Sequence, residues 1–274
     1  MNLPTSPAFP VAAPAAPGGA GPLLRLEGVS KHFGAVRAII DVHLDIPAGQ
    51  VTALVGDNGA GKSVLIKIIA GIYAPDGGQI YWDGRSVDIH TPRDAAELGI
   101  ETVYQDLALC DNLDIVQNMY LGRETTVRQL LDEEAMEKQA ASTLQGLSVT
   151  TVRSIRQPVA SLSGGQRQAV AVAKAVMWNS KLVIMDEPTA ALGVAQTTMV
   201  LQLVRTLADR GLAVIIISHN LNDVFEVADR LAILYLGRLA ASGPANEFNR
   251  SIVVDYMTAG TSTRTIPGND PVPS

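Results

Sequence analysis

One eight-residue segment combines the residue types that bind phosphate groups. It joins a short apolar run, Val51–Gly56, to a predicted helix over Lys62–Ala70, and it consists of Gly56, Asp57, Asn58, Gly59, Ala60, Gly61, Lys62 and Ser63. Glycines let a backbone wrap so that successive N–H groups point at phosphate oxygens, and the start of the helix adds its positive dipole end. Lys62 can reach the β- and γ-phosphates, and the Ser63 hydroxyl can ligate Mg²⁺. An ordinary glycine turn is the alternative, but a strand before the segment and a helix after it favour a triphosphate site.

Two carboxylates follow a second apolar run. Asp186 and Glu187 end the segment Lys181–Glu187. Ligands of open α/β sheets bind beyond the carboxyl ends of the strands, so Asp186 is placed to hold Mg²⁺ directly or through water. Glu187 is placed to orient and polarise the water that attacks the γ-phosphate. Two solvated acids at a strand end are the alternative, which the phosphate-binding segment upstream disfavours.

A third candidate is the segment Leu162–Gln166, which precedes a predicted helix over Arg167–Trp178. Its residues Ser163, Gly164, Gly165 and Gln166 can form a second anion-binding helix start. Because one triphosphate rarely needs two such ends, the segment suggests a site shared between two chains. A simple N-cap with a turn is an equally open interpretation.

Continuous apolar runs indicate the elements that position these residues. Lys181–Glu187 and Leu212–His219 are rich in β-branched residues without polar alternation. Such runs are typical of strands buried on both faces of a mostly parallel sheet. A helix over about Val194–Arg210, ended by Gly211, connects the two strands as a βαβ unit. The sequence therefore predicts an α/β fold.

Other segments predict additions to this core. Turn signals around Gln79–Val87 predict an antiparallel hairpin or edge piece. About Thr91–Ser163 we expect a helical insertion, which starts with a helix between Thr91-Pro92 and Gly99 and includes another over Leu131–Leu147. Proline interrupts every apolar stretch near the N-terminus. We therefore predict a flexible Pro/Ala-rich leader at 1–22, one domain at 23–255 and a flexible tail at 256–274.

Composition excludes several classes of protein. The chain has 274 residues, of which 47% are hydrophobic and 18% charged, so it is globular rather than disordered. Its net charge of −6 argues against a protein that wraps nucleic acid. It contains no run of apolar residues long enough to span a bilayer, and the single cysteine, Cys110, cannot form an internal disulfide. We expect a soluble protein of a reducing compartment.

Taken together, the motifs resemble the nucleotide-binding subunit of ABC transporters, over about Leu23 to Asn249. Gly56–Ser63 looks like the Walker A loop, Leu182–Asp186 like the Walker B strand, and Leu162–Gln166 like the LSGGQ signature. The signature shortly before the Walker B strand separates this family from other P-loop ATPases. The resemblance implies a P-loop NTPase fold with a mostly parallel core sheet, an antiparallel β subdomain and an ABC-specific helical insertion.

The resemblance also implies roles for single residues. Phe33 would stack on adenine, Gln105 would contact Mg²⁺ or the attacking water, and Glu187 would be the general base. His219 would contact the γ-phosphate and hold the water in place. The implied nucleotide site comprises Phe33, Gly56–Ser63 and Val64 of one subunit with Ser163, Gly164, Gly165 and Gln166 of the other, and the implied metal ligands are Ser63, Gln105 and Asp186. Gly193 departs from the family pattern, since many ABC ATPases carry Asp there.

Two stretches resemble the monosaccharide-import branch of the family: Tyr104–Leu113, which continues to Leu121–Glu124, and Thr189–Val194. The resemblance implies ATP and Mg²⁺ as cofactors, a homodimer, membrane permease subunits and, indirectly, a periplasmic sugar-binding protein, with no nucleic acid. The chain would then lie at the cytoplasmic face of the inner membrane. Alternatives are a branched-chain amino acid importer, an exporter and a DNA-repair ABC ATPase, although no sustained heptads support the last. A P-loop kinase would leave the signature and His219 unexplained.

Overall fold

A six-stranded sheet lies at the centre of the fold, and five of its strands run parallel. The protein is described by a computed structural model, which covers residues 21–147, 149 and 151–262. In spatial order the strands are β12 (Arg238–Pro244), β11 (Arg230–Tyr235), β3 (Val51–Gly56), β10 (Ala213–Ile217), β9 (Leu182–Asp186) and β6 (Ile100–Val103). Strand β12 pairs antiparallel with β11. The predicted parallel α/β core is confirmed.

The two faces of this sheet belong to different hydrophobic cores. In β10, Val214 and Ile216 pack into one cluster with the helical part of the molecule. The alternate residues Ala213, Ile215 and Ile217 pack into the other cluster, on the opposite face. Because successive side chains of a strand point to opposite faces, a strand covered on both sides must be apolar throughout. This explains the uninterrupted apolar runs of the sequence.

A second, antiparallel sheet covers one of these faces. Its strands, in spatial order, are β2 (Val36–Ile46), β1 (Leu24–Phe33), β4 (Gly77–Trp82) and β5 (Arg85–Val87). Strands β4 and β5 form the hairpin predicted at Gln79–Val87. No sequence pattern predicted β1 and β2 individually, because register shifts in their pairing interrupt the apolar alternation.

Eight α-helices surround the sheets in the described part of the chain. They are α1 (Lys62–Ile69), α2 (Pro92–Leu98), α3 (Ile115–Tyr120), α4 (Glu133–Gly146), α5 (Gly164–Val176), α6 (Val194–Asp209), α7 (Leu221–Val227) and α8 (Arg250–Ala259). The caps predicted for α2 are present: Thr91 forms a capping box with Asp94, and Gly99 is left-handed. None of these helices combines the length and apolar character that crossing a bilayer requires.

The predicted limits of the helical insertion and of the domain need correction. The range 91–163 contains β6, which pairs with β9 in the central sheet, and a two-stranded hairpin of β7 (Thr126–Val127) and β8 (Leu130–Leu131). Strands of two to four residues are too short to show a period. At the other end, α8 continues to Ala259, four residues beyond the predicted domain end. The predicted tail after Ser262 and the predicted leader before Gly21 lie outside the described residues.

The side chain of Asn118 anchors the loop that connects β6 to α3. Asn118 is 0% exposed. Its Oδ1 accepts from the backbone N–H of Cys110 at 2.7 Å, and its Nδ2 donates to the carbonyls of Cys110, Leu113 and Asp114 at 2.9, 3.3 and 3.0 Å. One buried amide therefore forms four hydrogen bonds that tie this loop to α3.

We expect Asn118→Leu to lower the free energy of unfolding by about 2–4 kcal/mol, because it removes the hydrogen-bond partner of the partly buried Cys110 N–H and three further hydrogen bonds to the loop. Urea denaturation measures this change. Gln145→Leu, the same kind of substitution at an exposed position of α4, is the control and should change stability by no more than about 0.5 kcal/mol. Equal stabilities of the two variants would contradict the anchoring role.

Candidate functional site

The loop Gly56–Ser63 connects β3 to α1, and two of its glycines, Gly56 and Gly61, are required by close backbone approaches. A Cβ added at Gly56 would lie 2.5 Å from the carbonyl oxygen of Leu234. At Gly61 the backbone is left-handed, with φ of 104°, and an added Cβ would lie 2.7 Å from the carbonyl oxygen of Ala38. The N–H of Gly237 also donates to the carbonyl of Ala60 at 3.0 Å. The loop is therefore held between the start of β2 and the β11–β12 turn.

The ammonium group of Lys62 lies against this loop. Its Nζ donates to the carbonyl oxygens of Gly56 and Asp57 at 2.7 and 2.9 Å. Burial lowers the pKa of Lys62, while the charges of Glu187, Asp57 and Asp186 act in the opposite direction. Lys62 is therefore a partly desolvated cation within the loop for which the sequence predicts a phosphate site.

The other predicted polar residues follow the strands that neighbour β3. Strand β10 pairs with both β3 and β9, and β9 pairs with β6, all in parallel. Since parallel strands end at the same edge, the segments after β10, β9 and β6 bring His219, Asp186-Glu187 and Gln105 to the edge where the phosphate-binding loop begins. Gln105 lies two residues beyond β6 and is exposed.

Asp186 and Glu187 have different surroundings although they are adjacent. Burial raises the pKa of Asp186, the neighbouring charge of Glu187 raises it further, and Lys62 opposes both. The backbone of Glu187 is left-handed, with φ of 50°, and its N–H donates to the carbonyl of Ile217 at 2.9 Å. A non-glycine residue in this conformation is strained, and such residues cluster at functional sites.

Glu187 and His219 contact each other directly, which the sequence did not predict. Nδ1 of His219 lies 2.8 Å from Oε2 of Glu187. The His219 side chain is 75% exposed and that of Glu187 is 17% exposed. A partly buried carboxylate thus orients an imidazole whose remaining surface faces solvent. Such a pair can hold a water molecule and accept its proton.

The segment Ser163–Gln166 forms the start of α5, so the N-cap interpretation is confirmed. Ser163 Oγ accepts from the N–H of Gln166 at 3.3 Å, and the N–H of Ser163 donates to Oε1 of Gln166 at 2.9 Å. Added Cβ atoms at Gly164 and Gly165 would lie 2.9 Å from the side chains of Leu192 and Met199. Among the described residues, no hydrogen bond or ion pair joins this segment to the loop Gly56–Ser63.

A comparison with known protein families identifies the fold. The family model described as ABC transporter matches residues 39–190. The chain belongs to the ABC transporter family. Its fold is that of an ABC ATPase cassette, and the chain is accordingly an ATPase.

Two curated proteins and one solved structure illustrate the relationship. The xylose/arabinose import ATP-binding protein XylG of Sulfolobus acidocaldarius is 46% identical over 237 residues, 86% of this chain and 94% of that protein. The fructose import ATP-binding protein FrcA of Rhizobium meliloti is 46% identical over 244 residues, again 86% of this chain and 94% of that protein. The dimeric, post-hydrolysis structure of an ATP-binding cassette bound to ADP and Pi is 25% identical, with a TM-score of 0.68, and the match covers 81% of this chain and 98% of that one.

The Walker A loop of this ABC cassette forms one wall of an open cavity of about 460 Å³. The other walls are Val36–Ala38 and the turn Leu236–Gly237. Val36 and Leu236 are each 65% exposed, and no pattern in the sequence indicated them because exposure depends on the fold. Phe33 is not among the lining residues. Its ring packs edge-on against Tyr73, with centroids 5.1 Å apart, and remains 43% exposed.

The chemistry of Ser63 and Asp186 would suit a magnesium ion. No cluster of three His, Cys, Asp or Glu side chains that could hold a metal ion occurs in the described ranges. Mg²⁺ is commonly held by one or two carboxylates together with substrate phosphates. The exposed Ser63 hydroxyl and the Asp186 carboxylate, whose pKa is raised by burial, suit this arrangement. A cation there would offset the repulsion between Asp186 and Glu187.

Gly193, at the position where many ABC ATPases carry Asp, is the N-cap of α6. Its φ is −74°, and an added Cβ would meet no atom within 4 Å. The backbone therefore does not require glycine here, in contrast to Gly61.

Gly61→Ala should lower ATP affinity at least tenfold, because the added methyl group collides with the carbonyl of Ala38 at a left-handed position. Titration with a fluorescent ATP analogue measures the affinity, and thermal unfolding measures the accompanying loss of stability. Gly77→Ala is the matched control, since a Cβ at Gly77 meets nothing within 4 Å. Unchanged affinity in Gly61→Ala would contradict the packing argument.

Proposed function

We propose that the chain is the ATP-hydrolysing subunit of an importer that moves a monosaccharide across the cytoplasmic membrane. The observation that carries the proposal is the extended similarity to two proteins named for xylose/arabinose and fructose import. The Walker A loop and the Glu187–His219 pair at one edge of the sheet supply the chemistry that such a subunit needs. The stretches Tyr104–Leu113 and Thr189–Val194, which resemble the sugar-import branch, support the same conclusion.

In this proposal the Walker A loop binds the triphosphate of ATP. Its N–H groups and Lys62 contact phosphate oxygens, and Val64 continues the binding segment into α1. Ser63 and, directly or through water, Asp186 would hold Mg²⁺, which would neutralise phosphate charge, and Gln105 would contact Mg²⁺ or the attacking water. Phe33 contributes an aromatic face for adenine. Its 43% exposure leaves part of the ring accessible.

Glu187 is the general base of the proposed reaction. It accepts a proton from the water that attacks the γ-phosphorus, while the bond to the β,γ-bridging oxygen breaks. His219 contacts the γ-phosphate and holds the water in line. The 2.8 Å contact between the side chains of Glu187 and His219 supports these two roles, because it holds both side chains beside each other.

Two copies of the chain complete the two ATP sites. Ser163, Gly164, Gly165 and Gln166 of one copy supply a second N–H-rich end to the ATP held by Lys62 of the other copy. The proposal is supported by the position of this segment at a helix start, without a bond to the Walker A loop of its own chain. The related cassette that binds ADP and Pi as a dimer supports it as well.

The proposed partners are membrane permease subunits, which bind the segment between Gln105 and Glu124 on the cytoplasmic face of the membrane. A periplasmic sugar-binding protein delivers the sugar to the permease and contacts this chain only indirectly. ATP-driven closure of the ATPase dimer changes the permease conformation, and hydrolysis resets it.

Glu187→Gln should retain ATP affinity and reduce kcat at least 100-fold, because the amide cannot accept the proton. Phosphate release measures turnover, and equilibrium titration measures affinity. Hydrolysis at the parental rate would show that Glu187 is not the base.

The same variant tests the shared site. With ATP, Glu187→Gln should sediment as a dimer, since hydrolysis no longer separates the copies. Addition of Ser163→Ala should weaken this dimer at least tenfold without changing the Walker A loop. A monomer in both cases would contradict the proposed trans contact.

Uptake of sugar is tested with the chain co-purified with its membrane subunits and placed in vesicles. We expect ATP hydrolysis to be stimulated by a monosaccharide with its binding protein, with xylose, fructose and ribose as the first probes. Vesicles that carry Glu187→Gln are the inactive control. Stimulation by leucine alone would indicate an amino acid importer, and stimulation by double-stranded DNA would indicate a repair ATPase; either result contradicts the proposal.

A further inference from the structure

A buried carboxylate lies behind the Glu187–His219 pair and is not used in the roles described above. Asp223, in the first turn of α7, is 6% exposed. Its Oδ2 accepts from Oγ1 of Thr189 at 2.6 Å, and its Oδ1 accepts from Nδ2 of Asn220 at 2.8 Å. Thr189 is itself only 9% exposed.

Among the described residues, no Lys, Arg or His forms an ion pair with Asp223. A buried carboxylate without a counter-ion depends on its hydrogen bonds, and loss of one partner leaves an unsatisfied charge-bearing oxygen. The bonds to Thr189 and Asn220 are therefore strong constraints on the two loops that carry these residues.

The two loops are those of the proposed catalytic residues. Thr189 follows Glu187 by two positions, and Asn220 directly follows His219. Together with the 2.8 Å contact between Glu187 and His219, the hydrogen bonds of Asp223 close a ring that passes through both loops.

The ring explains how a strained backbone is held in place. Glu187 has a φ of 50°, and a side chain at such a position needs neighbouring contacts to keep its conformation. The N–H of Glu187 is bound by the carbonyl of Ile217 on one side, and Thr189 is bound by Asp223 on the other. Both restraints lead to the strand and helix that flank His219.

We propose that Asp223, through Thr189 and Asn220, is a positioning residue that fixes the Glu187–His219 pair in the geometry for ATP hydrolysis. The inference rests on the proposed roles of Glu187 and His219. Asp223 touches neither nucleotide nor water in this scheme, and it acts by restricting where the two side chains can lie. Asp223 affects kcat rather than ATP affinity in this proposal, because none of its hydrogen-bond partners lies in the Walker A loop.

Thr189→Val tests the proposal, since it removes the hydroxyl and keeps the shape of the side chain. We expect kcat to fall roughly 10- to 100-fold while KM for ATP changes by less than about twofold, because small displacements of catalytic groups slow the chemical step. Thr189→Ser restores the hydroxyl and should recover most of the parental kcat. A structural role alone would not give this split between kcat and KM.

Thr258→Val is the matched control. Thr258 is exposed on α8, and its hydroxyl bonds the backbone of its own helix, so kcat should stay at the parental value. If Thr189→Val does not fold, Thr189→Ala takes its place, because the smaller side chain admits water to Asp223 while the link between the loops is still lost. The same loss of kcat at constant KM is expected.

Three results would overturn the inference: parental kcat in the folded Thr189 variant, a rise in KM at unchanged kcat, or equal losses in Thr189→Val and Thr189→Ser.

Combination with His219→Ala adds a further check, since the effect of Thr189→Val on kcat should shrink when His219 is absent. Full additivity of the two effects would also contradict the proposal. Glu187→Gln distinguishes a failure of this inference from a failure of the proposed function. If it slows hydrolysis strongly while Thr189→Val does not, only the positioning role of Asp223 fails.

Discussion

The central constraint on this structure is that the parallel sheet is buried on both faces. Each strand contributes alternate side chains to two cores, so a shift of register by one residue would exchange the apolar surface presented to each core. The register is therefore strongly specified. Since parallel strands share a direction, their carboxyl ends meet at one edge, and every polar residue that follows them is brought to that edge.

This edge concentrates charges that are partly removed from water. Burial lowers the pKa of Lys62 and raises that of Asp186, so each group is less favourable as an ion than it is in water. The groups compensate one another only in part, because Asp186 and Glu187 are adjacent and carry the same charge. A triphosphate with a divalent cation offers the complementary distribution, with negative oxygens for Lys62 and a positive metal for Asp186.

Local features were predicted most accurately. The segment Gly56–Ser63 forms its loop from contiguous residues, and α2 shows both of its predicted caps. Strand β6 was assigned to a helical insertion because its four residues, two of them buried, are too few to display a period. Strands β1 and β2 were not predicted because bulges break their alternation, and the stability of β1 depends on a pairing with β4 that is distant along the chain.

The sequence by itself determined the chemistry available to the protein: a phosphate-binding loop, two carboxylates after an apolar strand, and a serine–glycine helix start. These features depend on residues that are neighbours along the chain, so residue types and spacing are sufficient to predict them. The tertiary structure decided how they combine. The contact of Glu187 with His219 joins residues 32 positions apart, and that of Thr189 with Asp223 joins residues 34 apart. Such contacts arise only when the pairing of β9 with β10 brings the two loops together, because side-chain distances across a sheet follow from register and not from sequence separation.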